Sequence, residues 1–313
     1  MTAKHPFRFG LAAVQAESGA AWIARARRAE ELGYSSLLIA DHYVNPLTPM
    51  PAMAVAAAVT THLRVGTLVF DNDFRHPALL AKEVATLDML SEGRVEVGIG
   101  AGWHRGEYEL VGLPFDSPGV RIDRLAEAVQ IIKGLFGEGP VTFDGHYYQV
   151  NGLEGTPRPV QQPGPPLFIC GGGRKLLTLA GREADIVGIL MRALPDVPPD
   201  LAERGTAGTR QKVAWVREAA GPRFDHLELS TLIYRVVVTA DRRAAAAAYA
   251  EERGWTGASP DLVLEMPYAL FGTLDEIAET LEWRRAEFGI SYPIIVDEHI
   301  EDFAPLVARL AGR

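Results

Sequence analysis

The chain has almost no thiol chemistry to offer: of its 313 residues only Cys170 is cysteine. One thiol excludes an internal disulfide and any multi-thiolate metal site built by a single chain, and it fits a reducing compartment. Positive charge is also in short supply, with 31 Lys and Arg against 40 Asp and Glu and a formal net charge of −9. That balance argues against nucleic acid or an anionic membrane surface as the partner. No apolar run reaches the ~20 residues that cross a bilayer, and the stretch 51–59 is far too short. Residues 1–10 show neither a charged segment followed by an apolar core nor a cleavage-site pattern, so a cytoplasmic location is expected.

What is present is the composition of a globular protein with a sizeable core, 48% hydrophobic and 23% charged. Short apolar or β-branched runs alternate with helical patterns from end to end, the rhythm of βαβ units around a parallel sheet. Eight runs qualify as strands: 7–14, 35–40, 63–70, 94–100, 166–170, 185–190, one inside 227–238, and 292–296. Helix signals separate them. Ser18 can cap a helix whose Trp22, Ile23, Ala26, Ala29 and Leu32 share a face, with Gly33 as its stop; a short helix is expected at 54–61. Pro77 and the pair Ser117-Pro118 open two more, and Thr273 with Glu276 forms a capping box. Two stretches break the rhythm. Residues 141–150 alternate around Asp144-Gly145, a hairpin signal that makes 137–166 an insertion after strand four. Residues 254–270 have few periodic cues and form an insertion after strand seven, a candidate lid or interface. Eight units without a shift in composition predict one α/β domain over 1–313, a (β/α)8 TIM barrel rather than an open sheet, because closure removes both edges.

In such a barrel chemistry collects at the C-terminal ends of the strands. Strand two ends in Asp41-His42, an imidazole with a neighbouring carboxylate that suits acid/base work; the same pair would also serve as a loop cap and a solvated side chain. Strand three carries Leu68, Val69 and Phe70 into a polar run containing Asp71, Asn72 and Asp73, where a flat ring could rest, although core layers and an ordinary turn also account for it. Strand four delivers Gly98, Gly100 and Gly102, whose small size lets a ligand approach the backbone. Trp103 then follows, able to stack or to plug the barrel end, with Glu107 four positions on. Gly171, Gly172 and Gly173 precede Arg174, Lys175 and a helix, where free N–H groups and the helix dipole favour a phosphate. Cys170 reads as a small buried hydrophobe rather than a nucleophile.

The stretch 64–102, with Thr86, Asp88, Leu90, Gly93, Arg94, Gly98 and Gly100, then the Gly102-Trp103 and Glu107 signature and residues 171–185, resemble the bacterial luciferase-like family. That family includes flavin-dependent monooxygenases and enzymes that use the deazaflavin coenzyme F420. The likeness covers nearly all of the chain. In the deazaflavin branch it implies that His42 is the catalytic acid/base beside the reactive ring carbon, with Asp41 supporting it. It implies cofactor contacts from Leu68, Val69 and Phe70, with a non-proline cis peptide at Leu68-Val69 behind the ring. Gly100, Gly102, Trp103 and Glu107 would line the cofactor, and Gly171, Gly172, Gly173 and Arg174 would receive its phosphate. One departure stands out: after strand six relatives often carry a Gly-Trp or Gly-Phe pair, whereas residues 185–190 here read Asp-Ile-Val-Gly-Ile-Leu.

The resemblance therefore implies a homodimeric oxidoreductase that uses coenzyme F420 for hydride transfer to or from a small organic substrate. An FMN-dependent monooxygenase is the alternative. Two readings from other classes stand beside it. Asp41, His42, Asp71, Asp73, His104, Asp297, Glu298 and His299 all fall near strand ends and could gather a metal for hydrolysis, but strand one supplies no ligand, since residues 12–15 read Ala-Ala-Val-Gln. The other is a flavin-binding barrel without catalysis.

Overall fold

A computed structural model describes residues 5–13, 16–192 and 200–313. Eight strands run parallel around one axis: β1 (Gly10–Ala13), β2 (Ser36–Ile39), β3 (Arg64–Thr67), β4 (Val95–Gly100), β5 (Leu167–Gly171), β6 (Ile186–Ile189), β7 (Glu228–Ile233) and β8 (Ile290–Val296). Each pairs with its neighbours in chain order, β8 returns to β1, and Val65 and Gly66 of β3 pair with Val95 and Glu96 of β4, so the cylinder is closed. The expected (β/α)8 barrel is the observed one. Of the expected first strand, residue 14 lies outside the described residues.

Side chains alternate across each strand, as a pleated strand requires. One set, including Leu11, Leu37, Ile39, Val95, Val97 and Ile99, packs outward with helix residues such as Trp22, Leu80, Val84 and Leu125. The other set fills the cylinder with Ala12, Leu38, Phe168, Cys170, Ile186, Tyr292 and Ile294, against which Leu68, Val69, Leu190 and Leu232 pack. Strands β3 and β4 approach too closely for a side chain at Gly98: a Cβ there would sit 1.9 Å from the Thr67 carbonyl oxygen. After β3 the Leu68–Val69 peptide is cis, and a two-residue extension, Phe70–Asp71, resumes pairing with Ile99 and Gly100.

The N-terminal end of the cylinder is closed by charge. Glu96, 1% exposed, accepts Arg8 Nη1 at 2.6 Å, Arg64 Nε at 2.7 Å and the Tyr292 hydroxyl at 3.1 Å. Arg8 also forks onto both oxygens of Glu228, at 2.7 and 2.5 Å, and its guanidinium lies 3.5 Å from the centre of the Tyr292 ring. Burial alone would raise the pKa of the Glu96 carboxyl, yet the Arg8 and Arg64 cations hold it below the ordinary carboxylate range.

Three elements depart from expectation. The helix after β2 is Pro49–Val59, beginning at Pro49 rather than at residue 54, because Pro49 and Pro51 sit in a first turn where their missing N–H groups cost nothing. A helix, Arg105–Val111, occupies what reads as a loop after β4, and it carries Glu107 and Tyr108. The region after β7 is a small layer of its own. Arg235–Val238 and Ala269–Gly272 pair in parallel, helices Arg242–Glu252 and Pro260–Glu265 lie between them in sequence, and Tyr249, Val263 and Phe271 share its core. The buried Arg284 guanidinium donates to the carbonyls of Met266, Pro267 and Ala269 at 2.6, 3.2 and 3.0 Å. The second half of the expected lid is therefore a packed wall, with Met266, Tyr268 and Leu270 all buried. The other insertion is the expected antiparallel hairpin, Pro140–Asp144 with Gln149–Glu154. Glu127 clamps its turn by accepting the N–H groups of His146, Tyr147 and Tyr148. Among the described residues no helix is long and apolar enough to cross a membrane.

Candidate active site

Strand β2 delivers His42 to the C-terminal mouth, where its side chain is 26% exposed. Its Nδ1 lies 2.7 Å from Oε2 of Glu107, a carboxylate only 2% exposed, whose Oε1 accepts the Val44 N–H at 3.2 Å. A carboxylate can only accept here, so Nδ1 donates and the other ring nitrogen, Nε2, is left to take or give a proton. Trp103 and His104 complete the cluster: both rings stand edge-on to His42, with centroids 6.0 and 6.4 Å away. Trp103 is 52% exposed, so it does not plug the barrel end.

Asp41 is not the partner of His42. It binds Arg75 through both oxygens, at 2.6 and 3.2 Å, and accepts the N–H of Asp71 at 3.1 Å, fixing the turn after β3. A residue adjacent in sequence points elsewhere because neighbouring side chains on extended chain face opposite sides. The support that Asp41 was expected to give comes instead from Glu107, expected only as a lining residue.

The floor of the mouth is apolar. Leu68 and Val69, on either side of the cis bond, pack over Phe168, Cys170 and Ile294, and a Cβ on Gly100 would come 2.7 Å from Val69 Cγ2. Phe70 points the other way: it is fully buried in the layer between strands and helices, with the Arg75 guanidinium 4.7 Å from its ring centre, so it cannot line the mouth. Gly102 has φ +71°, and a Cβ there would lie 1.9 Å from the Tyr108 hydroxyl, so only glycine fits. That hydroxyl donates to Asp71 at 2.9 Å, and Arg121 donates to the carbonyls of Ala101 and Gly102 at 3.0 and 3.3 Å. Burial pushes the Asp71 carboxyl up to about 6, against the hydrogen bonds it accepts from Asp73 and Tyr108. Burial likewise pushes the Cys170 thiol up to about 12, which leaves it inert, as read from its surroundings.

Across the mouth, Gly173 caps helix Arg174–Glu183 with no side-chain hydrogen bond and open space at its α-carbon. Gly172 lets the backbone of 191–192 approach, since a Cβ there would meet the Arg192 nitrogen at 2.4 Å. A Cβ on Gly171 would strike Leu176. Arg174 is brought into this group by sequence only: its side chain is 67% exposed and faces Glu218 at 3.6 Å, on the next helix. Lys175 also turns away, donating to Asp123 at 2.7 Å and to the Gly119 carbonyl. A phosphate expected at this turn would therefore meet only backbone N–H groups and the helix dipole, since neither expected cation points towards it. An apolar floor, an uncapped helix start and an imidazole at one edge together fit a flat ring that carries a phosphate tail.

Several participants were not singled out by sequence. Tyr108, Arg121 and Arg75 hold the loops, and Lys212, 1% exposed, ties the end of β6 by donating to the Leu190 carbonyl at 3.0 Å while facing Glu203 at 3.3 Å. Reading residues 104–111 as a helix would have exposed the signal, since His104, Glu107 and Tyr108 then share a face. A cleft of about 360 Å³ lined by Asp73, His76, Arg124, Tyr147 and Tyr148 lies beside this mouth, under the hairpin, and does not include His42. Among the described residues no group of three or more His, Cys, Asp or Glu is placed to hold a metal. Asp297, for one, is taken by Arg25.

Comparison with known proteins agrees with the barrel fold. A family model described as luciferase-like monooxygenase matches residues 3–295. The F420-dependent glucose-6-phosphate dehydrogenase of Kineococcus radiotolerans is 36% identical over 166 residues, 50% of this chain and 48% of that protein. The match therefore spans about half the length of that relative. The 5,10-methylenetetrahydromethanopterin reductase of Methanopyrus kandleri is 25% identical over 291 residues, 88% of this chain and 78% of that one. Among solved structures, an F420-dependent secondary alcohol dehydrogenase in complex with an F420-acetone adduct superposes with a TM-score of 0.77 at 22% identity, covering 98% and 99% of the two chains. At that identity the likeness speaks for the barrel alone.

Proposed function

This chain belongs to the luciferase-like monooxygenase family, and from that premise we propose that it is an oxidoreductase using coenzyme F420 for hydride transfer to or from a small organic substrate. The observation that carries the reading is the His42–Glu107 pair at the edge of an apolar floor, opposite an uncapped helix start. Similarity to the F420-dependent dehydrogenase named above supports the choice of coenzyme.

When bound, a deazaflavin supplies a ring carbon that takes or gives a hydride, as a nicotinamide does. The protein supplies the rest. Leu68 and Val69 would hold the ring flat, Gly100 and Gly102 admit it close to the backbone, and the N–H groups after Gly173 receive the phosphate. His42 takes the proton from a substrate hydroxyl, or returns one to a carbonyl, through Nε2, while Glu107 fixes the ring and offsets the charge that forms. Trp103, half exposed beside His42, closes one side of the substrate space.

The second reading is an FMN-dependent monooxygenase, favoured by the description of the family model itself. Fluorescence titration with the two coenzymes in parallel separates them: saturable micromolar binding of F420 is expected, and binding of FMN alone would overturn the first reading. The helix Pro49–Val59 has no charged residue and exposes Val55, and the next helix of the ring, Pro77–Leu90, exposes Leu79, Met89 and Leu90; this supports a homodimer. Sedimentation of the titrated samples checks that, a monomer of 34.0 kDa being the contrary result.

A further inference from the structure

One titratable group at the mouth has no part in the chemistry described so far. His104 opens the helix Arg105–Val111 and its side chain is 44% exposed, yet its Nδ1 is buried and has no hydrogen-bond partner. That nitrogen lies 3.7 Å from Oε2 of Glu107, the same oxygen that holds His42 Nδ1 at 2.7 Å. One buried carboxylate oxygen is therefore shared by two imidazoles, an inner one at the reaction site and an outer one open to water.

We infer that His104 is the outer station of a proton relay, His42–Glu107–His104, that carries the substrate proton between the barrel mouth and bulk water. The inference rests on the oxidoreductase reading above and adds a route to it. A proton taken by His42 at Nε2 displaces the one on Nδ1 to Glu107 Oε2. Glu107 passes it to His104 Nδ1, and His104 releases its Nε2 proton to water. One proton enters and one leaves, so charges are unchanged, but both imidazoles end as the other tautomer, and each resets by a ring flip or by proton exchange with water before the next turnover. His42 is itself 26% exposed, so the path matters when substrate covers Nε2; the way out is then through Nδ1 to Glu107, which is only 2% exposed and has His104 as its outer neighbour. The remaining gap needs a shift of the His104 ring by about the difference between a contact and a hydrogen bond, and its exposure leaves it free to make that shift. His104 acts through Glu107 and not on substrate.

Two variants test the relay in steady-state assays with F420 and a turned-over substrate. His104→Phe keeps the cover over Glu107 but cannot carry a proton. The expected result is a fall in kcat of about tenfold or more, an unchanged affinity for F420, and no response to buffer. His104→Ala opens a hole, and added imidazole should restore kcat saturably while leaving the wild type and His104→Phe unmoved. A kcat for His104→Phe within twofold of wild type overturns the relay, and so does a loss in His104→Ala that imidazole does not restore. Either result leaves the coenzyme reading intact, whereas a wild type that neither binds nor reduces F420 ends that reading instead.

Discussion

Two glutamates bracket strand β4, and the contrast between them separates what holds this molecule together from what it does. Glu96, near the start of the strand, and Glu107, just beyond its end, are buried to the same degree. Glu96 is surrounded by groups that cannot give up their charge: Arg8 and Arg64 bind it, and the Tyr292 hydroxyl donates to it. Glu107 faces two imidazoles, which can. A buried carboxylate met by permanent cations is a fixed brace. The same group met by histidines is poised to pass protons. This is the usual division of an α/β barrel, stability at the N-terminal face and chemistry at the other, expressed here by partner choice around one residue type.

The comparison can be broken at its functional end first. Replacing His42 by Asn should lower kcat by about 10³-fold while F420 affinity stays within a few-fold and the thermal transition is unmoved. A variant that keeps more than a tenth of wild-type turnover would remove His42 from the chemistry. Glu96→Gln tests the other end. It removes the buried negative charge that two guanidinium groups face, so unfolding in denaturant should be easier by about 3 kcal/mol, with kcat per folded molecule unchanged. Lost turnover at full stability would reverse the roles assigned to the two glutamates.

The smallest effect is a pH dependence at the boundary between brace and site. Asp71 sits at about 6 in the folded chain because of its burial, against an ordinary value of about 3.9. The folded state therefore binds this proton more tightly than the unfolded one. Its contribution to stability is complete below the ordinary carboxylate value and is lost as pH rises through about 6. The stability of the wild type relative to Asp71→Asn should fall by about 2 kcal/mol between about pH 4 and 6 and stay level above that. A difference that is flat across this window would place Asp71 at its ordinary value.

Much of the frame was legible beforehand. Trp22, Ala26 and Ala29 at helical spacing, Thr273 with Glu276 at a helix start, and the alternation on both sides of Asp144-Gly145 are local signals that the structure honours: Thr273 Oγ1 accepts the Glu276 N–H, Glu276 accepts the Thr273 N–H, and the hairpin forms, although Asp144 pairs with Gln149 and its turn is the four residues 145–148 rather than two. The cis bond at Leu68–Val69 was implied by family likeness and is present. Partnership was harder to read. Asp41 stands next to His42 in the chain and was assigned to it, but it belongs to Arg75, and Phe70 and Arg174 point away from the mouth their backbone adjoins. Of the stretch 254–270, expected as a lid or interface, the half with Met266, Tyr268 and Leu270 is buried and held by Arg284 from a later helix, which periodic cues could not show.

Taken alone, the sequence determined the βα rhythm, the closing glycines of β4, the turn and cap residues and the family likeness, because each depends on residues within a few positions of one another or on a pattern repeated along the chain. Tertiary structure alone decided that Glu107 crosses 65 positions to reach His42, that Asp41 does not, and that His104 shares their oxygen. A side chain's partner is set by where strands and loops converge in space, and the ordering of the chain carries no record of that convergence.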